Sequence, residues 1–132
     1  MVWVQLVTVL AVIQYAGFGF LVGAARARHG VHAPATSGHE IFDRYFRVHM
    51  NTLETLVFLL PSMWISAQYG SPRASAILGG VYLIGRQLYL NGYVKDPKKR
   101  GLGYGLSFLP AAIMAVAALV GIVRALLAGG AA

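Results

Sequence analysis

Three groups of residues in this sequence could do chemistry. Arg47, Asn51 and Glu54 are spaced i, i+4, i+7, which at 100° per residue puts them on one narrow stripe of a helix. Tyr82, Arg86, Tyr89 and Tyr93 follow i, i+4, i+7, i+11 and form a second stripe. That stripe runs toward Arg100, which closes the basic run Lys95-Asp96-Pro97-Lys98-Lys99-Arg100. Guanidinium groups bind carboxylates and stay charged in poorly hydrated surroundings. A carboxylate beside them suits an ammonium group, and a side-chain amide matches a peptide bond. Together the stripes would suit a small zwitterionic peptide with two carboxylates.

Plainer roles exist for each group. Glu54 and Arg86 could pair with each other as interhelical glue. The tyrosines could form an interfacial aromatic belt, which suits Tyr93 and Tyr104 better than the deeper Tyr82 and Tyr89. Lys98 and Lys99 read best as positively charged loop residues facing the cytoplasm. The four histidines lack metal-site pairing: His29, His32 and His39 fall in a loop, and His29 to His32 is only i, i+3. No metal is expected. His49 lies near the membrane interface.

The elements that carry these residues follow from composition. Of 132 residues, 58% are hydrophobic and only 11% charged, with a mean hydropathy of +0.64. Soluble domains carry about 25% charged residues, so a water-soluble globule and a disordered chain are both excluded. The absence of cysteine removes disulfides, thiolate zinc sites and a cysteine nucleophile. The net charge of +7 would suggest nucleic acid on a soluble protein. On an apolar chain it points to cytoplasmic loops and anionic headgroups, so no nucleic-acid partner is expected.

A spanning helix needs about 20 apolar residues. Spans are expected at about 2–23, 46–69, 74–94 and 102–123. The first is not read as a signal peptide, since it lacks a basic leader and its apolar run is too long. A polar connection from about 24 to 45 and the breaks Gly70-Ser71-Pro72 and Lys95 to Gly101 separate the spans. The fold class expected is an all-α integral membrane protein, one four-helix up-down bundle over residues 1–132. Arg26, Arg28, Arg44, Arg47, Lys95, Lys98, Lys99 and Arg100 lie on the side of the first and third loops, against Arg73 and Arg124 on the other. The first and third loops are therefore expected in the cytoplasm, with both termini opposite. Glu54 and Arg86 fall inside spans, where a charge costs at least about 2.5–3.5 kcal/mol and normally has a partner.

The stretch Arg47-Val48-His49-Met50-Asn51-Thr52-Leu53-Glu54 resembles the R-x-x-x-N-x-x-E signature of the MAPEG family, membrane-associated proteins in eicosanoid and glutathione metabolism. Gly85-Arg86-Gln87-Leu88-Tyr89-Leu90-Asn91-Gly92-Tyr93 followed by Arg100 is similar to a second segment of that family's glutathione-transferase branch. The resemblance covers nearly the whole chain. It implies a homotrimer with glutathione between neighbouring subunits near the cytoplasmic face. It implies glutathione contacts for Arg47, His49, Asn51, Glu54, Arg86, Tyr89 and Tyr93, a contribution from Arg26 of a neighbouring subunit, and thiolate stabilisation by Arg100. Thr55 departs from the pattern, since several members have tyrosine there.

The implied activity is glutathione transfer to a lipophilic electrophile from the membrane lipid, or reduction of a lipid hydroperoxide, with glutathione as co-substrate. A non-catalytic lipid-binding scaffold, a glutathione-dependent isomerase and a small transporter using Glu54 are the other readings. The Ala/Gly/Arg-rich first loop favours a bacterial inner membrane, with the endoplasmic reticulum as the eukaryotic equivalent.

Overall fold

The computed structural model describes residues 1–129. Four helices follow one another: α1 (Val2–His29), α2 (Glu40–Tyr69), α3 (Pro72–Lys95) and α4 (Gly101–Leu127). A single 3-10 turn, Pro97–Arg100, links α3 to α4. No strand occurs among the described residues. At 1.5 Å per residue, the 30 residues of α2 and 24 of α3 reach roughly 45 and 36 Å. Both exceed the roughly 30 Å of a bilayer core. Among the described residues, two helices, α1 and the segment Pro97–Leu127, are both long enough and apolar enough to cross a membrane.

The helices overrun the expected spans on the basic side. α1 continues to His29 and α2 begins at Glu40, so the polar connection expected over 24–45 shrinks to residues 30–39. His29 is thus helical, not a loop residue. Hydropathy measures the apolar width of a helix, whereas capping fixes where the helix stops. Arg26, Arg28 and His29 complement the C-terminal end of α1. Gly30 then ends it at φ 68°, the left-handed conformation that glycine adopts without penalty. At the start of α2 the His39 Nδ1 accepts the Ile41 N–H at 3.1 Å, and Asp43 accepts the Gly38 N–H at 3.1 Å. Ser71 caps α3 by accepting the Ala74 N–H at 3.2 Å, with Pro72 in the first turn.

Apolar side chains from all four helices meet in the interior: Val4, Val7 and Ala11 of α1; Leu59 and Met63 of α2; Tyr82 of α3; Ala111 and Met114 of α4. A second cluster, Phe18, Val48, Tyr89 and Leu90, lies nearer the basic end. The outer surface is apolar too, with Ile13, Phe20, Val57, Ile77, Ile84, Ile113, Val116 and Leu119 exposed. Water would penalise such a surface, and lipid would not.

The α3–α4 pair is packed to backbone contact. A Cβ on Gly85 would lie 2.7 Å from the Leu106 carbonyl carbon, and one on Gly92 would lie 2.6 Å from the Lys99 oxygen. A Cβ on Gly103 would collide with the Tyr89 backbone nitrogen. Small residues allow such approach between membrane helices. The consequence is local: Tyr89 on α3 is held against Gly103, and Gly85, beside Arg86, against Leu106 and Ser107 of α4.

Candidate functional site

A cleft of about 600 Å³ opens between α2, α3, α4 and the 3-10 turn. It is lined by the polar residues Asn51, Glu54 and Thr55 from α2, Arg86 and Tyr89 from α3, and Arg100, together with the aromatic rings of Phe58 of α2 and Tyr104 and Phe108 of α4.

The stripes on α2 and α3 meet at a hydrogen bond. Asn51 Nδ2 donates to the Tyr89 hydroxyl oxygen at 2.7 Å, which leaves the phenol proton free to donate. The Arg86 guanidinium carbon sits 4.0 Å from the centroid of the Tyr89 ring, a cation–π contact. Arg86 has 0% of its surface exposed, and its Nε, Nη1 and Nη2 have no hydrogen-bond partner. A buried charged group left unpaired costs more than the roughly 1–3 kcal/mol of an unsatisfied neutral one. The lining carries two guanidinium groups, Arg86 and Arg100, against one carboxylate, Glu54, which suits an anionic ligand.

Arg86 does not pair with Glu54. The ion pair found among the described residues joins Arg44 to Glu40. Glu54 is exposed and lines the cleft. The interhelical-glue reading is therefore replaced by two separate charges facing one space.

Thr55 takes up a phenol from a different helix. Its hydroxyl donates to the Thr52 carbonyl at 3.0 Å. That spends its one proton, so the Tyr82 hydroxyl donates to Thr55 Oγ1, 2.8 Å away. Tyr82 is fully buried. A phenol from α3 thus reaches the cleft wall through the threonine, where a larger residue at position 55 would occupy the space itself.

Arg100 is held by a frame of backbone caps. Arg44 of α2 donates to the carbonyls of Val94 at 2.9 Å and Lys95 at 3.0 Å, which are orphan acceptors at the end of α3. Asp96 then accepts the Lys98 N–H at 3.0 Å and closes the 3-10 turn. Arg100 ends that turn, exposed and facing the cleft.

Four residues of the expected site lie elsewhere in a single copy of the chain. Arg47 is exposed and outside the cleft lining. His49 turns toward α1, where its ring stacks on Tyr15 at 4.4 Å. Tyr93 packs against the cluster of Phe18, Val48 and Leu90, 5.5 Å from the Tyr89 ring. Arg26 donates to the Ala35 carbonyl at 2.6 Å and lies 4.8 Å from the centroid of the Phe42 ring, tying down the first loop. The stripe rule averages over about a turn and cannot distinguish a cleft-facing residue from one 40° to its side. Tyr104 lines the cleft and is not merely an interfacial ring. Phe58 and Phe108 were not among the expected site residues. The signal for Phe58 was its place at i+11 on the stripe of Arg47, Asn51 and Glu54, and that for Phe108 its i, i+4 spacing from Tyr104. No group of three metal-ligating side chains occurs among the described residues.

Comparison with known proteins covers most of the chain. The MAPEG family profile matches residues 4–120. An uncharacterized protein of Synechocystis sp. is 46% identical over 122 residues, covering 92% of this chain and 89% of that protein. Microsomal glutathione S-transferase 2 of Homo sapiens is 33% identical over 121 residues, covering 92% and 82% respectively. Leukotriene C4 synthase of Cavia porcellus is 34% identical over 139 aligned positions, covering 92% and 91%.

Proposed function

The chain belongs to the MAPEG family, and on that premise we propose that it is a membrane-bound glutathione transferase. The observation that carries the proposal is Arg86: a buried guanidinium without a hydrogen-bond partner, on the wall of a cleft that also holds Glu54, Asn51 and Arg100. Glutathione offers two carboxylates, an ammonium group, two peptide bonds and a thiol. Arg86 takes a carboxylate, Glu54 the ammonium group and Asn51 a peptide amide. The relationship to proteins named microsomal glutathione S-transferase 2 supports the same co-substrate.

A free thiol has a pKa near 8.5, so only about 3% is ionised at pH 7. An opposite charge within about 4–6 Å lowers a pKa by roughly 1–3 units. Arg100 supplies that charge and holds the sulfur as thiolate. The thiolate attacks carbon of an apolar electrophile arriving from the bilayer. The new C–S bond takes the sulfur pair, and the leaving atom departs with the pair of the broken bond and takes up a proton where it is basic. With a lipid hydroperoxide, the thiolate attacks the terminal oxygen, the O–O bond breaks to give a sulfenic acid, and the departing alkoxide takes a proton from water to become the alcohol. A second glutathione converts that acid to the disulfide and water.

The assembly is a homotrimer in this reading, with glutathione between neighbours. That gives the exposed Arg47, and His49, Tyr93 and a neighbour's Arg26, their place around the co-substrate. The basic loops face the cytoplasm. A relative in a cyanobacterium supports a bacterial membrane.

A glutathione titration of the detergent-solubilised protein, followed by thiolate absorbance at neutral pH, tests the proposal. The expected result is a saturable thiolate signal that Arg100→Ala removes while binding persists. Turnover in that variant should fall up to about thirtyfold at pH 7, the ratio of full to 3% ionisation. The thiol pKa is lowered in the intact site, so activity is lost only as pH falls through the lowered value. In Arg100→Ala that acidic limb moves up toward about 8.5. Absence of glutathione binding to the folded protein would overturn the proposal in favour of a lipid-presenting scaffold.

A further inference from the structure

Away from the cleft, α3 carries a second polar stripe. Gln87, Asn91 and Lys95 follow i, i+4, i+8. At 100° per residue this stripe is centred about 170° round the helix from Arg86 and Tyr89. All three residues are exposed. They line a groove of about 480 Å³ between α1 and α3, with Tyr45 of α2 beside them and Leu21 and Leu90 among its apolar lining. None of these residues lines the cleft that holds Arg86.

Two amides on the outer face of a spanning helix cost free energy unless they are hydrogen-bonded. Gln87 Nε2 donates to Asn91 Oδ1 at 3.2 Å. That bond leaves both N–H groups of Asn91 and one of Gln87 to donate. The Lys95 ammonium and the Tyr45 hydroxyl are donors at the same groove. Among the described residues no carboxylate lines it. Its chemistry therefore matches a negatively charged partner rich in acceptor oxygens.

Depth narrows that partner. Lys95 is the first residue beyond the apolar run of α3, which puts it at headgroup level. With a hydrocarbon core of about 30 Å in a bilayer of roughly 40–45 Å, each headgroup layer is about 5–8 Å thick. Asn91 lies about 6 Å and Gln87 about 12 Å along the helix from Lys95 toward the bilayer centre. The donors thus step from the level of a lipid phosphate past that of its glycerol esters. A second copy of this chain fits less well, because a symmetric pair docked through this groove at one depth would set Lys95 beside Lys95.

We propose that this groove binds an anionic phospholipid from the leaflet on the side of the first and third loops. Lys95 takes the phosphodiester, Asn91 and Gln87 take the ester oxygens, and an acyl chain lies against Leu21 and Leu90. The site is independent of the glutathione reading.

The test is native mass spectrometry of the detergent-purified protein, equilibrated with equal amounts of a phosphatidylglycerol and a phosphatidylcholine of the same chains. Phosphatidylglycerol should be retained at one per chain, preferred roughly fivefold, the effect of one basic residue on an anionic headgroup. Lys95→Gln should abolish that preference. Asn91→Leu should lower retention of both lipids about two- to tenfold, the equivalent of one hydrogen bond. Gln87→Leu repeats that test independently of position 91. Lys98→Gln removes the same charge from the neighbouring turn and should change neither quantity. A preference that survives Lys95→Gln, or falls equally in Lys98→Gln, would mean diffuse attraction to the basic loops and overturns the proposal. Unchanged retention in folded Asn91→Leu and Gln87→Leu overturns it too, and a changed oligomer mass in those variants would then give the groove to a second copy of the chain.

Discussion

The two ends of the bundle differ in one buried polar side chain. Around the α2–α3 turn, Ser66 and Ser75 share a hydrogen bond at 2.9 Å, and Ser66 also bonds the Met63 carbonyl at 3.0 Å. Trp64 of α2 donates to Thr8 of α1 at 3.0 Å. Toward the α3–α4 turn, Arg86 is more deeply buried than any of these and has no hydrogen-bond partner. Gln14 stands between the two cases, with its amide nitrogen bonded to the Leu83 carbonyl at 2.9 Å and its oxygen unpartnered. Bonded polar groups join helices to each other, while Arg86 has the Tyr89 ring as its cation–π partner.

That contrast is sharpest when the unpaired charge is removed. Arg86→Met should weaken glutathione binding by about 10- to 150-fold, the equivalent of roughly 1.5–3 kcal/mol for a hydrogen bond to a charged group. The unliganded protein should melt at the same temperature or higher, because a buried charge without a hydrogen-bond partner has gone. Calorimetric titration and a thermal melt without glutathione measure the two effects. A large loss of stability in the unliganded variant would mean that Arg86 is structural, and the contrast would collapse.

Arg44→Ala probes the frame behind Arg100. Loss of hydrogen bonds to the Val94 and Lys95 carbonyls is worth about 0.5–1.5 kcal/mol. It should lower kcat by about two- to tenfold through displacement of Arg100, with little change in KM for glutathione. The acidic limb of the pH profile should move upward in the same variant, a change that loosened packing alone does not produce. The smallest effect belongs to the satisfied end. Ser75→Ala should cost about 1 kcal/mol of stability and leave glutathione binding within about twofold. A binding loss there as large as in Arg86→Met would show that the two ends are not distinct.

Much of the frame was legible in the residues themselves. Apolar runs separated by Gly70-Ser71-Pro72 and by the basic turn marked four helices, and those helices stand where the runs are. The i, i+4, i+7 spacings placed Asn51 and Tyr89 on stripes that face each other, and their side chains meet at 2.7 Å. Periodicity fixes which side of a helix a residue occupies. It does not fix how far that helix is rotated against its neighbours. His49 therefore turns to Tyr15, and Tyr93 packs into a core cluster. The aromatic lining was hard to read for a related reason: rings in an apolar span look alike whether they face lipid or a cleft. The Tyr82–Thr55 bond joins residues 27 apart, a contact that only the packing of α2 against α3 creates.

The glycines between α3 and α4 work as a ruler. Any chain that carries both stripes but has a side chain at position 85 or 103 must set the two helices further apart, by about the 1.5 Å of a carbon–carbon bond. Arg86 and Arg100 would then move with different helices, and the width of the opening would change with them. The charged residues announce what such a protein can hold, but two atoms' worth of missing methyl decides the gauge at which it holds it.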